Sequence, residues 1–201
     1  MSRKSLAPLA LGLSLSVALV VGCSPAVHNI TIRSAVDAVA PEPGTAAIVI
    51  MQPRSVLETV SILGADGGLL GMIHGHSRTV VRVAPGTVRL YCLPMRNAGA
   101  GDRVEGTVEA GRIYYVTLSY TGWSDHVSFL ALNTRSRDER WTHLAEYISG
   151  TPLVEMDQAR VPLVLRELGD RSRYLAEIDR WADRLDADHR EERTIQPGDG
   201  Q

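Results

Sequence analysis

Arg103-Val104-Glu105-Gly106-Thr107-Val108-Glu109-Ala110-Gly111-Arg112-Ile113-Tyr114-Tyr115-Val116-Thr117-Leu118-Ser119-Tyr120 is the stretch that decides the fold class. Val104, Gly106 and Val108 alternate with Arg103, Glu105, Thr107 and Glu109, a period of two that sets one face against a core and the other in water. Ala110-Gly111 turns the chain. Beyond it Tyr114, Val116 and Leu118 share one side of a second strand, with Ile113, Tyr115 and Thr117 on the other.

The same texture extends upstream to Thr45 and downstream to Asn133, as short β-rich runs separated by glycine and proline. Ala46 to Met51 is apolar on both alternate sets, which predicts an interior strand covered on both sides. Val60–Leu63 and Leu69–Ile73 flank Asp66-Gly67-Gly68, residues that tolerate positive φ, and so predict a hairpin. Thr79–Val83 and Val88–Leu93 flank Pro85-Gly86, whose turn chemistry predicts another. Val127–Leu132 supplies a last strand. The expected fold is mainly β, an antiparallel β-sandwich of about seven or eight strands followed by two or three C-terminal α-helices.

After Thr134 the period changes to that of a helix. Ser136-Arg137-Asp138-Glu139 has capping-box spacing, and Trp141, Leu144, Ala145 and Ile148 follow as one apolar stripe. Gly150 and Pro152 stop it. Val161, Val164, Leu165 and Leu168 form a second stripe that Gly169 can close. Leu175, Ile178, Ala182 and Leu185 mark a charge-laced third helix over about Arg171 to Ala187. Asp183, Asp186 and Asp188 read as its solvated face. The stripes cover a sandwich face, each other, or a partner helix, in which case the last helix is a docking arm.

At the other end, Arg3 and Lys4 precede the apolar stretch Leu6–Val21, shorter than the roughly 20 residues a membrane span requires. Leu19-Val20-Val21-Gly22-Cys23 closes it and resembles the lipobox of bacterial lipoprotein signal peptides. That resemblance implies cleavage before Cys23, acylation of its thiol and new amino terminus, and attachment to the membrane through several acyl chains. Ser24 follows where an aspartate would imply inner-membrane retention, so the resemblance implies an outer-membrane protein facing the periplasm. The organisation expected is a signal peptide over 1–22, a tether over 23–44 with one short strand near His28 to Arg33, a β-sandwich over 45–134, a helical segment over 135–190 and a tail over 191–201.

Without residues 1–22 the chain is long enough to bury roughly 70% of its unfolded surface in one domain. Of its 2 cysteines only Cys92 would keep a thiol, so no intramolecular disulfide can form. Cys92 lies in the largely apolar run Val88–Leu93 and reads as an inert buried residue. The formal net charge of -2 supplies no basic face for nucleic acid.

Ala47-Ile48-Val49-Ile50-Met51-Gln52-Pro53-Arg54-Ser55, Val83-Ala84-Pro85-Gly86-Thr87 and Glu109-Ala110-Gly111-Arg112-Ile113-Tyr114-Tyr115-Val116 together resemble uncharacterised bacterial lipoproteins with a domain-of-unknown-function or PEGA-like β-sandwich module. Gln52 departs from the pattern, where arginine would be expected. The resemblance covers the strand-rich middle, implies envelope location and a sandwich, and brings no catalytic residues.

Chemistry is sparse. Gly122-Trp123-Ser124-Asp125-His126 holds serine, aspartate and histidine side by side, whereas a triad needs side chains converging from separated positions. No G-x-S-x-G elbow occurs. His74 and His76 could share a strand face and bind a metal with His126, but Gly75 between them marks a loop tip, so no metal or cofactor is assigned. Trp123, Tyr114 and Tyr120 are the candidate ligand-binding aromatics, for glycan or protein contact. The expected protein is not an enzyme: it is a lipid-anchored interaction or scaffold module whose partners are the membrane and an envelope protein or peptidoglycan. A carbohydrate or peptidoglycan binder is the first alternative, and a metal-dependent enzyme around the three histidines the second.

Overall fold

The computed structural model describes residues 30–32, 39–54, 58–97, 100–120, 126–132 and 139–201. The expected signal peptide, Cys23, the loop with Trp123 and the capping-box residues 136–138 lie outside the described residues. Among those described, the strands are β1 (Ile30–Ile32), β2 (Ala46–Gln52), β3 (Thr59–Gly64), β4 (Leu69–His74), β5 (Ser77–Val83), β6 (Gly86–Pro94), β7 (Asp102–Val108), β8 (Ile113–Tyr120), β9 (Val127–Ala131), β10 (Val154–Met156) and β11 (Thr194–Ile195). The helices are α1 (Glu139–Thr142), α2 (Leu144–Gly150), α3 (Val161–Leu168), α4 (Arg171–Ala182) and α5 (Ala187–Glu191). One sheet has the order β11-β7-β6-β3-β4, a second β5-β2-β8-β9, and β1 and β10 form a two-stranded ribbon.

The protein is mainly β, but its two larger sheets are mixed where antiparallel pairing was expected. β2 runs parallel to β8, and β11 parallel to β7. The cause lies in the bends. Asp66-Gly67-Gly68 does make the expected hairpin: β3 and β4 pair antiparallel, Gly67 has φ 76° and the Gly68 amide donates to Asp66 Oδ1 at 2.9 Å. Pro85-Gly86 does not. β5 pairs with β2, while β6 pairs with β3 and β7, so this bend carries the chain from one sheet into the other. Turn chemistry locates a reversal without specifying which strand becomes the neighbour.

Alternate residues explain the layering. Ala46, Ile48 and Ile50 of β2, with Tyr114, Val116 and Leu118 of β8, join Val60, Ile62, Leu90, Cys92 and Val104 of the other sheet in one buried cluster. The opposite set of β2, Val49 and Met51, packs with Tyr115, Leu132 and Leu144, and Trp141 lies against them. Every residue of β2 is buried, as its unbroken apolar run predicts. On the five-stranded sheet Leu63, Met72, Tyr91 and Leu93 face away from the shared core and meet Val164, Leu168, Leu175 and Ile178 of α3 and α4. Each such Leu or Ile contributes roughly 1.5–3 kcal/mol by leaving water. The helical stripes are therefore used internally, α1 and α2 over one sheet and α3 and α4 over the other. The stripe of α4 is turned inward, with Leu175, Ile178 and Ala182 buried.

The C-terminal third departs from the expectation in detail. The first helix breaks at His143 into α1 and α2. The third stops at Ala182, with α5 following, so Asp183 and Asp186 do not share one solvated face. Asp183 closes α4 and reaches Arg103, while Asp186 caps α5 through the His189 amide. Within the segment read as a tether, β1 is fixed to β10 (Ile30↔Met156, Ile32↔Val154). Within the segment read as a tail, β11 joins the edge of β7. Gly106 permits this: a Cβ there would lie 1.8 Å from the Ile195 carbonyl oxygen.

Candidate functional site

The polar cluster with the most chemistry begins at Asp102, the first residue of β7, which is fully buried. Gly101 precedes it and brings the backbone close to β6, because a Cβ at 101 would lie 2.1 Å from the Cys92 carbonyl oxygen. Asp102 Oδ1 accepts from the Arg103 amide at 2.8 Å. Its Oδ2 accepts from the Phe129 amide of β9 at 2.9 Å and from Arg193 Nε at 2.7 Å. One carboxylate thus joins both sheets and the C-terminal segment. Burial pushes the Asp102 carboxyl up, against the opposing pull of Arg193 and the two amides.

Arg193 is itself buried and donates from Nη1 to the His189 carbonyl at 2.8 Å. Its guanidinium lies 5.4 Å from the centre of the Trp181 ring, a cation–π distance. The His126 ring meets Trp181 edge-on at 5.1 Å. His126 Nε2 is buried and without a hydrogen-bond partner, and burial pulls the imidazole down, with Asp102 opposing. Beside this group Arg103 donates to Asp179 Oδ1 at 2.7 Å and Asp183 Oδ1 at 3.0 Å, one turn apart on α4. Asp179 Oδ1 also accepts from Tyr91 at 2.9 Å. A cleft of about 70 Å³ between Arg103, Glu105, Leu185, Arg190, Arg193 and Thr194 opens next to it. That is far below the roughly 300 Å³ at which small-molecule pockets begin.

The charged groups meet one another, which is the behaviour of a clamp, while His126 Nε2 stays unpartnered. Cys92, opposite Asp102 in register, cannot serve as a nucleophile: its thiol is fully buried and is pushed well up by burial and by Asp102. Among the described residues no three His, Cys, Asp or Glu side chains come together as metal ligands. His74 bonds Thr59 Oγ1 at 2.7 Å on β4, three strand spacings or roughly 14 Å from β7. His126 instead packs on Trp181, so the histidine metal site does not assemble.

The aromatic patch does not assemble at Tyr114 either. Tyr114 is 1% exposed inside the shared core, where its hydroxyl accepts from the Glu109 amide at 2.9 Å and donates to the Pro197 carbonyl at 3.3 Å. Tyr120 is half-buried at the other end of β8, roughly 20 Å along the strand. Its hydroxyl donates to the buried Gln52 Oε1 at 3.2 Å, and burial, with Glu58 nearby, pushes its pKa up. Trp123 lies outside the described residues, as does Cys23. Asp102, Trp181 and Arg193 were missed in the sequence because Arg193 sits in the charged run Glu191-Glu192-Arg193 and its partner lies on a distant strand. The one available signal was Trp181, an indole beside the apolar stripe of Ile178, Ala182 and Leu185. Among the described residues no helix is long and apolar enough to cross a membrane. No protein-family model matches the chain, and no curated protein matches it.

Proposed function

We propose that this chain is a lipid-tethered, non-enzymatic module of the bacterial envelope, held at the outer membrane on its periplasmic side and acting through contact with an envelope protein or the cell wall. The observation that carries the reading is the run Leu19-Val20-Val21-Gly22-Cys23 after a basic start and a short apolar stretch. In this reading the two mixed sheets, which share one apolar core, are the halves of a β-sandwich with helices over its outer faces. A clamp whose charges are met internally supports a scaffold more than a reaction centre. Several acyl chains, at about 0.8 kcal/mol per buried methylene, give stable anchoring where one would be marginal.

Palmitate labelling of the full chain tests this. The expected result is incorporation and membrane fractionation that both disappear in Cys23→Ala. Unlabelled protein, or a Cys23→Ala chain that is processed and fractionates unchanged, overturns it.

A further inference from the structure

We infer that, given the lipid anchor proposed above, the β1–β10 ribbon is the membrane-facing side of the domain and lies against the phospholipid headgroups of the leaflet that holds Cys23. β1 begins at Ile30, seven residues after Cys23. A fully extended chain spans at most about 3.6 Å per residue, so the leash reaches no more than about 25 Å. A folded unit of this size has a radius of gyration of roughly 16 Å and measures some 40 Å across. The leash is shorter than the domain is wide, so the Ile30 end cannot turn away from the bilayer.

The ribbon can transmit that restraint because it is fastened to the body. β1 pairs with β10 over three residue pairs. β10 follows Leu153, which bridges Arg78 of β5, and the Arg78 amide donates to the Pro152 carbonyl at 2.9 Å. The Arg78 side chain, 1% exposed, donates to the Ile148 carbonyl at 2.6 Å and to the Thr151 carbonyl at the end of α2. Around the ribbon Glu155 and Arg160 are exposed and Asp157 is half-buried, so the described residues there form no cationic patch. Proximity comes from the leash, and it should be indifferent to the anionic lipid fraction.

The test places a thiol-reactive fluorophore on acylated full-length Glu155→Cys or Arg184→Cys in phosphatidylcholine vesicles carrying a headgroup-attached quencher. Arg184 follows α4, which packs on β7 near the edge of the five-stranded sheet opposite β4, and Cys92 is buried and should not label. Several-fold stronger quenching at 155 than at 184 is expected, unchanged with added phosphatidylglycerol. It should be lost when about 20 Gly/Ser residues are inserted between Ala26 and Val27. Equal quenching at the two positions with palmitate incorporated overturns the orientation and leaves the anchor standing. Absence of palmitate overturns both.

Discussion

Replacing Asp102 by alanine removes one acceptor from three donors at once: Arg193 Nε at 2.7 Å, the Phe129 amide at 2.9 Å and the Arg103 amide at 2.8 Å. Arg193 would remain buried with its charge uncompensated at Nε, and breaking a buried pair from one side costs about 3–5 kcal/mol. The orphaned Phe129 amide, buried on β9, keeps the loss toward the upper end of that range. Against a total stability of about 5–15 kcal/mol, such a loss is a large fraction. The opposite holds when both partners go. Because burial raises the folded pKa of Asp102 above its unfolded value, ionisation itself works against folding here, and the carboxyl favours the fold most at low pH. An apolar pair, Asp102→Leu with Arg193→Met, should therefore recover the part of the loss that comes from the unpaired guanidinium, while the Phe129 and Arg103 amides stay without their acceptor. Urea denaturation followed by tryptophan fluorescence is the assay, since Trp181 lies under the Arg193 guanidinium. A coupling energy of about 2–3 kcal/mol across the double-mutant cycle is expected. A loss below about 1 kcal/mol for Asp102→Ala, or strictly additive singles, would refute the clamp.

Two further outcomes follow from the same region. Burial lowers the folded pKa of His126, so the unfolded chain binds the proton first as pH falls below about 6.5, and stability should decline there. His126→Phe keeps the contact with Trp181, and thermal melts between pH 5 and 8 should show a flatter slope for it than for the parent. Gly106→Ala would drive a Cβ into the Ile195 carbonyl, so β11 should detach from β7. Hydrogen exchange of the Glu105 amide, which donates to the Arg193 carbonyl at 3.1 Å, should accelerate by orders of magnitude, and unchanged protection would show that β11 does not depend on the missing side chain.

Residues whose partners are close in sequence, or whose pattern alone fixes their surroundings, were legible. Ala46–Met51 announced a strand covered on both faces because both alternate sets are apolar, and it pairs on both edges as well. Asp66-Gly67-Gly68 announced a hairpin because its residues tolerate the positive φ that such a turn needs, and Gly67 adopts it at 76°. The apolar stripes of α3 and α4 announced burial, while the breaks at His143 and Asp183 did not show in the periodicity. Parallel pairing was illegible because Pro85-Gly86 encodes a bend and says nothing of the sheet it leads into. The clamp was illegible for the same reason on a longer scale: Asp102 and Arg193 each read as ordinary surface charge until β7, β9 and β11 are brought together. Tyr114 looked available for a ligand because the sequence could not tell which alternate set of β8 faced the shared core.

The parallel match of β2 to β8 bears on how such a chain survives its own synthesis. Ala47 cannot meet Ile113, nor Ile50 meet Val116, until the whole span between them has emerged. Until then Ala46–Met51, six residues without a charge, has only its earlier neighbour β5 to shelter one edge. A polypeptide built this way completes its middle last, and while it is unfolded that one greasy run must be kept from meeting its counterpart on another nascent molecule.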